Sequence, residues 1–204
     1  MIEPAVAHLT VGGVKLLTGA QARWVGCSSA DVPRIYFANH TSHMDFVLLC
    51  SALPAHIRSK TRPVAASDYW NRGAVRQYII HRVFHAVLVE RLHSTRTMNP
   101  IEPMIEALDN EQSLILFPEG TRGTGEEVQP FKCGIFHLAK ARPHVELVPV
   151  WMENACRVMP KGALFPVPLL CSVAFGTPTF LRPGETKESF LARMREAVID
   201  LSKQ

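Results

Sequence analysis

An imidazole and a carboxylate five residues apart, His40 and Asp45, close an apolar run in the string Asn39-His40-Thr41-Ser42-His43-Met44-Asp45. Far along the chain another apolar run closes on Phe117-Pro118-Glu119-Gly120-Thr121-Arg122. A carboxylate bonded to one ring nitrogen of a histidine fixes the tautomer and stabilises the imidazolium formed when the other nitrogen takes a proton, which is what a general base for an alcohol needs. In the second string Gly120 lets the backbone approach an anion, Thr121 offers a hydroxyl and an amide, and Arg122 has a planar fork that matches phosphate oxygens. The first string reads as a proton-transfer site and the second as an anion site.

Spacing says where these groups must sit. Five residues on a regular helix turn a side chain by roughly 140°, so His40 belongs to a strand-to-helix turn and Asp45 to the first helical turn. Ser42 is a good N-cap and Asp45 stands three residues on, the Ser-x-x-Asp variant of a capping box. Asp45 therefore has a structural use as well. A cap needs no histidine, however, and an Asn-His pair ending a strand has no packing rationale of its own. His40, His43 and Asp45 also invite a metal reading, but a catalytic zinc needs three ligands with compatible directions, and the other histidines show no ligand spacing; no metal is expected. The bland alternative for the second string is a Pro118-Glu119-Gly120 turn with an exposed arginine.

The elements around these strings alternate. Arg34–Ala38, Val64–Ala66, Ala86–Val89, Ser113–Phe117, Val145–Trp151 and Leu169–Phe175 read as strands. Phe46–Leu53, Gly73–Val83, Ile101–Leu108, Cys133–Ala141 and Lys187–Lys203 read as helices, the last with Phe190, Met194, Val198 and Leu201 on one face. The succession predicts an α/β fold: a single domain with a mixed, largely parallel sheet flanked by helices. Both strings then fall just past the carboxyl ends of strands, where open α/β sheets gather ligands.

A chain of 204 residues with 47% hydrophobic content can build one core, and no linker-like tract divides it. The excess of basic over acidic residues is only +4, far from a nucleic-acid-binding tail, so no nucleic acid is expected as a partner. Arg58, Lys60 and Arg62 form one modest cluster, and Arg72, Arg76, Arg82 and Arg91 another, both suited to an anionic membrane surface. Five cysteines without a Cys-x-x-Cys pair point to a reducing compartment, with Cys50 and Cys171 as small core residues.

The two strings resemble the first and third motifs of the glycerophospholipid acyltransferase family, typified by 1-acylglycerol-3-phosphate acyltransferases: Asn-His-x-x-x-x-Asp and Phe-Pro-Glu-Gly-Thr-Arg. The resemblance runs from about Arg34 to Phe175. It implies catalytic roles for His40 and Asp45 and substrate binding by Glu119, Gly120, Thr121 and Arg122. Phe84-His85-Ala86-Val87-Leu88-Val89-Glu90-Arg91 resembles the second motif without its usual glycine, which would make Arg91 a second phosphate ligand. Phe131-Lys132-Cys133-Gly134 follows the third motif as in the family, adding Lys132, and Val148-Pro149-Val150 resembles the fourth, where a proline shapes the acyl side. The implied reaction moves a fatty acyl group from acyl-CoA or an acyl carrier protein, as thioester co-substrate and with no cofactor, to the free hydroxyl of a lysophospholipid. Lysophosphatidate leads as acceptor; glycerol 3-phosphate, a lyso-aminolipid, or a lipid-binding scaffold without turnover are the alternatives.

Such a protein works at a membrane surface. No run of eighteen apolar residues is present, so nothing is expected to span the bilayer, and the expected place is peripheral or monotopic on the cytoplasmic side of a membrane. Val6, Leu9, Gly13, Leu16, Ala20 and Trp24 recur at helical steps, so residues 1–30 are expected to form an amphipathic N-terminal helix ahead of an acyltransferase domain at 31–204. That helix either lies in the interface or packs on its own domain.

Overall fold

Arg34–Ala38 is buried at every position, which only an inner strand covered on both faces can be. The computed structural model describes residues 2–42, 44–90, 99–125, 127–155 and 169–204. Its strands are Gln21–Trp24 (β1), Arg34–Ala38 (β2), Thr61–Ala66 (β3), Val87–Val89 (β4), Ser113–Leu116 (β5), Glu146–Met152 (β6) and Ser172–Phe175 (β7). They form one seven-stranded sheet in the order β1-β7-β6-β2-β5-β3-β4. Only β6 and β7 run antiparallel; every other neighbouring pair is parallel.

The helices are Ile2–Thr18 (α1), Asp45–Ala52 (α2), Ala55–Ser59 (α3), Ser67–Trp70 (α4), Ala74–Gln77 (α5, continued by a π-helical turn at Tyr78–Val83), Glu102–Asp109 (α6), Gly134–Ala141 (α7) and Lys187–Leu201 (α8). One face of the sheet, with Tyr36 and Ala38, packs on α1, α2 and the π-helical turn through Val11, Val14, Phe46, Leu49 and Val83. The other face, with Ile35 and Phe37, packs on α6, α7 and α8 through Met104, Leu138, Phe190 and Met194. Each such side chain contributes about 1.5–3 kcal/mol on burial. α2 is apolar nearly all round because it is buried nearly all round.

The neighbours β2 and β5 pair in parallel at Phe37↔Leu116. The chain leaves β2 toward α2 on one face and leaves β5 toward α7 on the other. Where successive connections part to opposite faces, a crevice opens at the carboxyl edge.

Three expectations change. Residues 1–30 are not one helix: Gly19, with φ +54, ends α1 in the left-handed conformation that favours glycine, and β1 then joins the sheet beside β7. Trp24 stacks on Phe175 at 4.3 Å instead of extending a helical stripe. The stripe is also divided: Leu9 and Leu16 face outward, Leu16 at 88% exposure, while Val6 packs against the core and the buried apolar side chains of α1 are Val11 and Val14, which lie outside the stripe. Finally, the cluster Arg58, Lys60, Arg62 is partly taken up within the fold, although Lys60 stays exposed. Arg58 caps α2 by donating to the Leu53 and Cys50 carbonyls, Lys60 pairs with Asp31 at 3.0 Å, and Arg62 is half-buried.

Candidate active site

β2 needs a way to end without leaving buried backbone groups unpaired. Asn39 supplies it: its side-chain amide donates to the Met152 carbonyl at 3.1 Å and accepts the Met152 N–H at 2.9 Å. The asparagine thus extends the β2–β6 ladder by one rung while its own backbone turns away, a packing rationale the sequence did not reveal. His40 emerges at the edge.

From there the chain wraps around one oxygen. Asp45 Oδ2 accepts His40 Nδ1–H at 2.9 Å, the Thr41 N–H at 2.6 Å and the Ser42 N–H at 2.8 Å, and the residue is 0% exposed. Hydrogen bonds to a charged group are each worth about 1.5–3 kcal/mol, so these three offset much of the cost of burying a carboxylate. A carboxylate accepts only, so His40 carries its proton on Nδ1 and leaves Nε2 as an acceptor. The capping box forms by half. Asp45 reaches back to the Ser42 N–H, but the helix begins at Asp45 behind Met44, and the Ser42 hydroxyl accepts from Met44 N–H at 3.2 Å. Cap and histidine share one carboxylate.

The second string arrives from β5. Because Phe37 pairs with Leu116, His40 and Glu119 are each the third residue past the paired rung. The Phe117 ring stacks on the imidazole at 4.3 Å between centroids, with 19° between planes. Glu119, expected among the substrate ligands, points inward: Oε1 accepts the His40 N–H at 2.7 Å and Oε2 the Gln129 N–H at 2.9 Å, at 3% exposure. Burial pushes its carboxyl above the ordinary glutamate range, against the lowering effect of the two amide bonds. The His40 carbonyl accepts the Gly123 N–H at 2.8 Å, closing the clamp.

Beyond Glu119 the side chains turn outward. Gly120 has φ +71, and a Cβ there would lie 2.7 Å from Lys132 Nζ, so the lysine side chain runs directly across the glycine. Lys132 is fixed at its backbone by an N–H bond of 2.8 Å to the Pro118 carbonyl. Thr121, Arg122 and Lys132 are all exposed. Pro149 lies in β6 beside Phe37, its ring against Gly176. Arg91 and His43 lie outside the described residues. Sequence reasoning missed Asn39, Phe117, Gly123 and Gln129; the parallel pairing of β2 with β5 was the signal that would have brought Phe117 and Glu119 to His40.

Known proteins match this arrangement. A profile of the Acyltransferase family covers residues 26–153. The chloroplastic 1-acyl-sn-glycerol-3-phosphate acyltransferase of Brassica napus is 28% identical over 140 residues, 66% of this chain and 37% of the relative. The lyso-ornithine lipid O-acyltransferase of Brucella abortus is 28% identical over 132 residues, 63% of this chain and 45% of the relative. This chain therefore spans less than half the length of either. In fold it is similar to the crystal structure of the 1-acyl-sn-glycerophosphate acyltransferase PlsC from Thermotoga maritima, with a TM-score of 0.74 and 21% identity, over 98% of this chain and 78% of that one.

Proposed function

This chain belongs to the acyltransferase family, and on that premise we propose that it transfers a fatty acyl group from a thioester to the free hydroxyl of a lysophospholipid, lysophosphatidate first. The observation that carries the reading is the 2.9 Å bond from His40 Nδ1 to a fully buried Asp45, which leaves Nε2 free to act as base. Nε2 takes the acceptor's hydroxyl proton as its oxygen attacks the thioester carbonyl. The C–O bond forms, the tetrahedral intermediate collapses with loss of the C–S bond, and the imidazolium returns the proton to the departing thiolate. Asp45 stabilises the imidazolium between these steps.

Arg122 and Lys132, with Gly120 and Thr121, are the groups we assign to the acceptor's phosphate. They are exposed cations and donors on a loop tied to the base by Glu119 and Gly123. Holding the anionic end at a fixed place brings the hydroxyl to the base, and such positioning is worth several kcal/mol. An acceptor without a phosphate is the second reading, favoured by the similarity to a lyso-ornithine lipid acyltransferase.

A peripheral membrane position fits the surface. Among the described residues no helix is long and apolar enough to cross a bilayer. β7 begins where β6 ends, so the segment before it borders the carboxyl edge that carries His40. There Leu170, 77% exposed, lies against Gly19 at the end of α1, and its neighbour Leu169 and the last-turn residues Leu16 and Leu17 of α1 are exposed as well. Apolar side chains at the rim of a lipid enzyme's site suit an acyl-chain interface, and the exposed Arg72, Arg76 and Arg82 suit anionic headgroups.

The test is a panel of lysolipid acceptors with both coenzyme A and carrier-protein thioesters, read by product mass. Phosphatidate from lysophosphatidate is the expected product. Acylation of only a lyso-aminolipid would move the assignment to the second reading, and no product with any donor would overturn it.

A further inference from the structure

Two buried carboxylates grip His40, and only one of them touches its ring. Asp45 holds Nδ1; Glu119 holds the backbone N–H at 2.7 Å and ties it through its other oxygen to Gln129. The Gly123 N–H takes the His40 carbonyl, so both main-chain groups of His40 are bonded to the segment that follows β5. The same segment presses Phe117 on the imidazole face. Each Glu119 oxygen accepts a backbone amide, and at 3% exposure the carboxyl is closed to an acceptor lipid.

We propose that Glu119 is a positioning residue for the base and not a ligand of the acceptor. It sets where the His40 α-carbon stands above the sheet edge and, together with the Gly123 bond, locks the phosphate-binding loop to that position, so it helps fix the distance from anion to base. This rests on the general-base reading of His40. The physical case is one of replacement. Glutamine has the same shape but a single acceptor oxygen, so its NH2 must face either the His40 or the Gln129 N–H, and one side of the clamp opens. A base displaced by an ångström loses on the order of a hundredfold in rate, whereas binding of the distant phosphate changes little.

A double-mutant cycle of Glu119→Gln with His40→Ala, each variant first checked for a cooperative melt, separates the possibilities. In the His40-containing protein, Glu119→Gln is expected to lower kcat about 10- to 100-fold with the acceptor KM within about twofold. In the His40→Ala background the same change is expected to cost nothing further, because the group it positions is gone. A rise in acceptor KM with kcat kept, or an equal loss in both backgrounds, overturns the proposal and returns Glu119 to substrate binding. Failure of the base reading looks different, since His40→Ala alone would then stay active. Should Glu119→Gln not fold, Glu119→Asp, which keeps the charge but falls one methylene short of spanning the two amides, is put through the same cycle with the same outcomes.

Discussion

The loop after β2 and the loop after β5 meet at His40 but are built on opposite terms. Between His40 and Asp45 the polar groups turn inward, with three donors on one carboxylate oxygen that is sealed from water. Past Glu119 the side chains of Thr121, Arg122 and Lys132 turn out, and the order comes from the backbone beneath them. The difference matches the two tasks proposed for these loops. A base works at one geometry, so its loop is over-determined. A phosphate is a large diffuse anion that several donors can share, so a loop that takes one can fix its chain and leave its side chains exposed. Damage to the first loop is therefore expected in turnover and stability together, and damage to the second in substrate handling alone.

Asp45 gives the largest contrast. Asp45→Ala strands the Thr41 and Ser42 N–H groups, each at a cost of about 1–3 kcal/mol, so melting temperature and activity are expected to fall together. Asp45→Asn keeps an acceptor oxygen for those amides and removes only the charge. It is expected to hold its fold while turnover drops by about 10²-fold or more. Normal turnover in Asp45→Asn would reduce Asp45 to a cap.

The outer loop answers differently. Arg122→Ala is expected to cut kcat/KM for the acceptor by about one to two orders of magnitude, since charge-assisted bonds are worth about 1.5–3 kcal/mol, with an unchanged melt and an unchanged donor KM. Arg122→Lys restores part, because a point charge lacks the fork. Equal losses for donor and acceptor would detach the arginine from the phosphate.

Leucine exposure sharpens the comparison at the rim. Leu16→Glu and Leu170→Glu are expected to reduce flotation with anionic liposomes while stability stays within about 0.5 kcal/mol. Deleting α1 instead removes Val11 and Val14 from the core, so the truncated chain is expected to melt early. Unchanged flotation of both glutamate variants would move the lipid contact to another surface.

The smallest effect concerns Glu119 and pH. Its folded carboxyl is raised by burial, so the native state binds the proton more tightly than the unfolded chain. That contribution is fully present below the ordinary glutamate value and is lost as pH rises through the raised one. Thermal melts across the acidic range should show the wild type losing ground to Glu119→Gln as pH rises. A difference independent of pH would mean that Glu119 does not titrate differently on folding.

Much of this was legible in the chain because the β2 and β5 runs are short, apolar and stopped by their motifs. His40 and Asp45 could be put on a turn and a first helical turn from spacing alone. The misses have local causes. β1 is hidden in the sequence because Ala20 and Trp24 continue the helical step of α1 past Gly19, the residue that stops it. The stripe through Leu9 and Leu16 leaves open which face packs, because α1 is apolar on both sides and periodicity cannot choose between two apolar faces. The resemblance groups Glu119 with the substrate-binding residues of its motif, and its inward turn is not readable from the chain because it depends on which strand stands beside β5. No residue near Asn39 announces that Met152, across the sheet, is its partner.

The claim that His40 is the base, held by its own chain, is tested most directly by the rate at which folded His40→Ala protein forms product from lysophosphatidate and an acyl thioester. A fall of about 10²- to 10⁴-fold with an unchanged melting temperature is predicted; turnover within a few-fold of the wild type, in protein that melts normally, would contradict it.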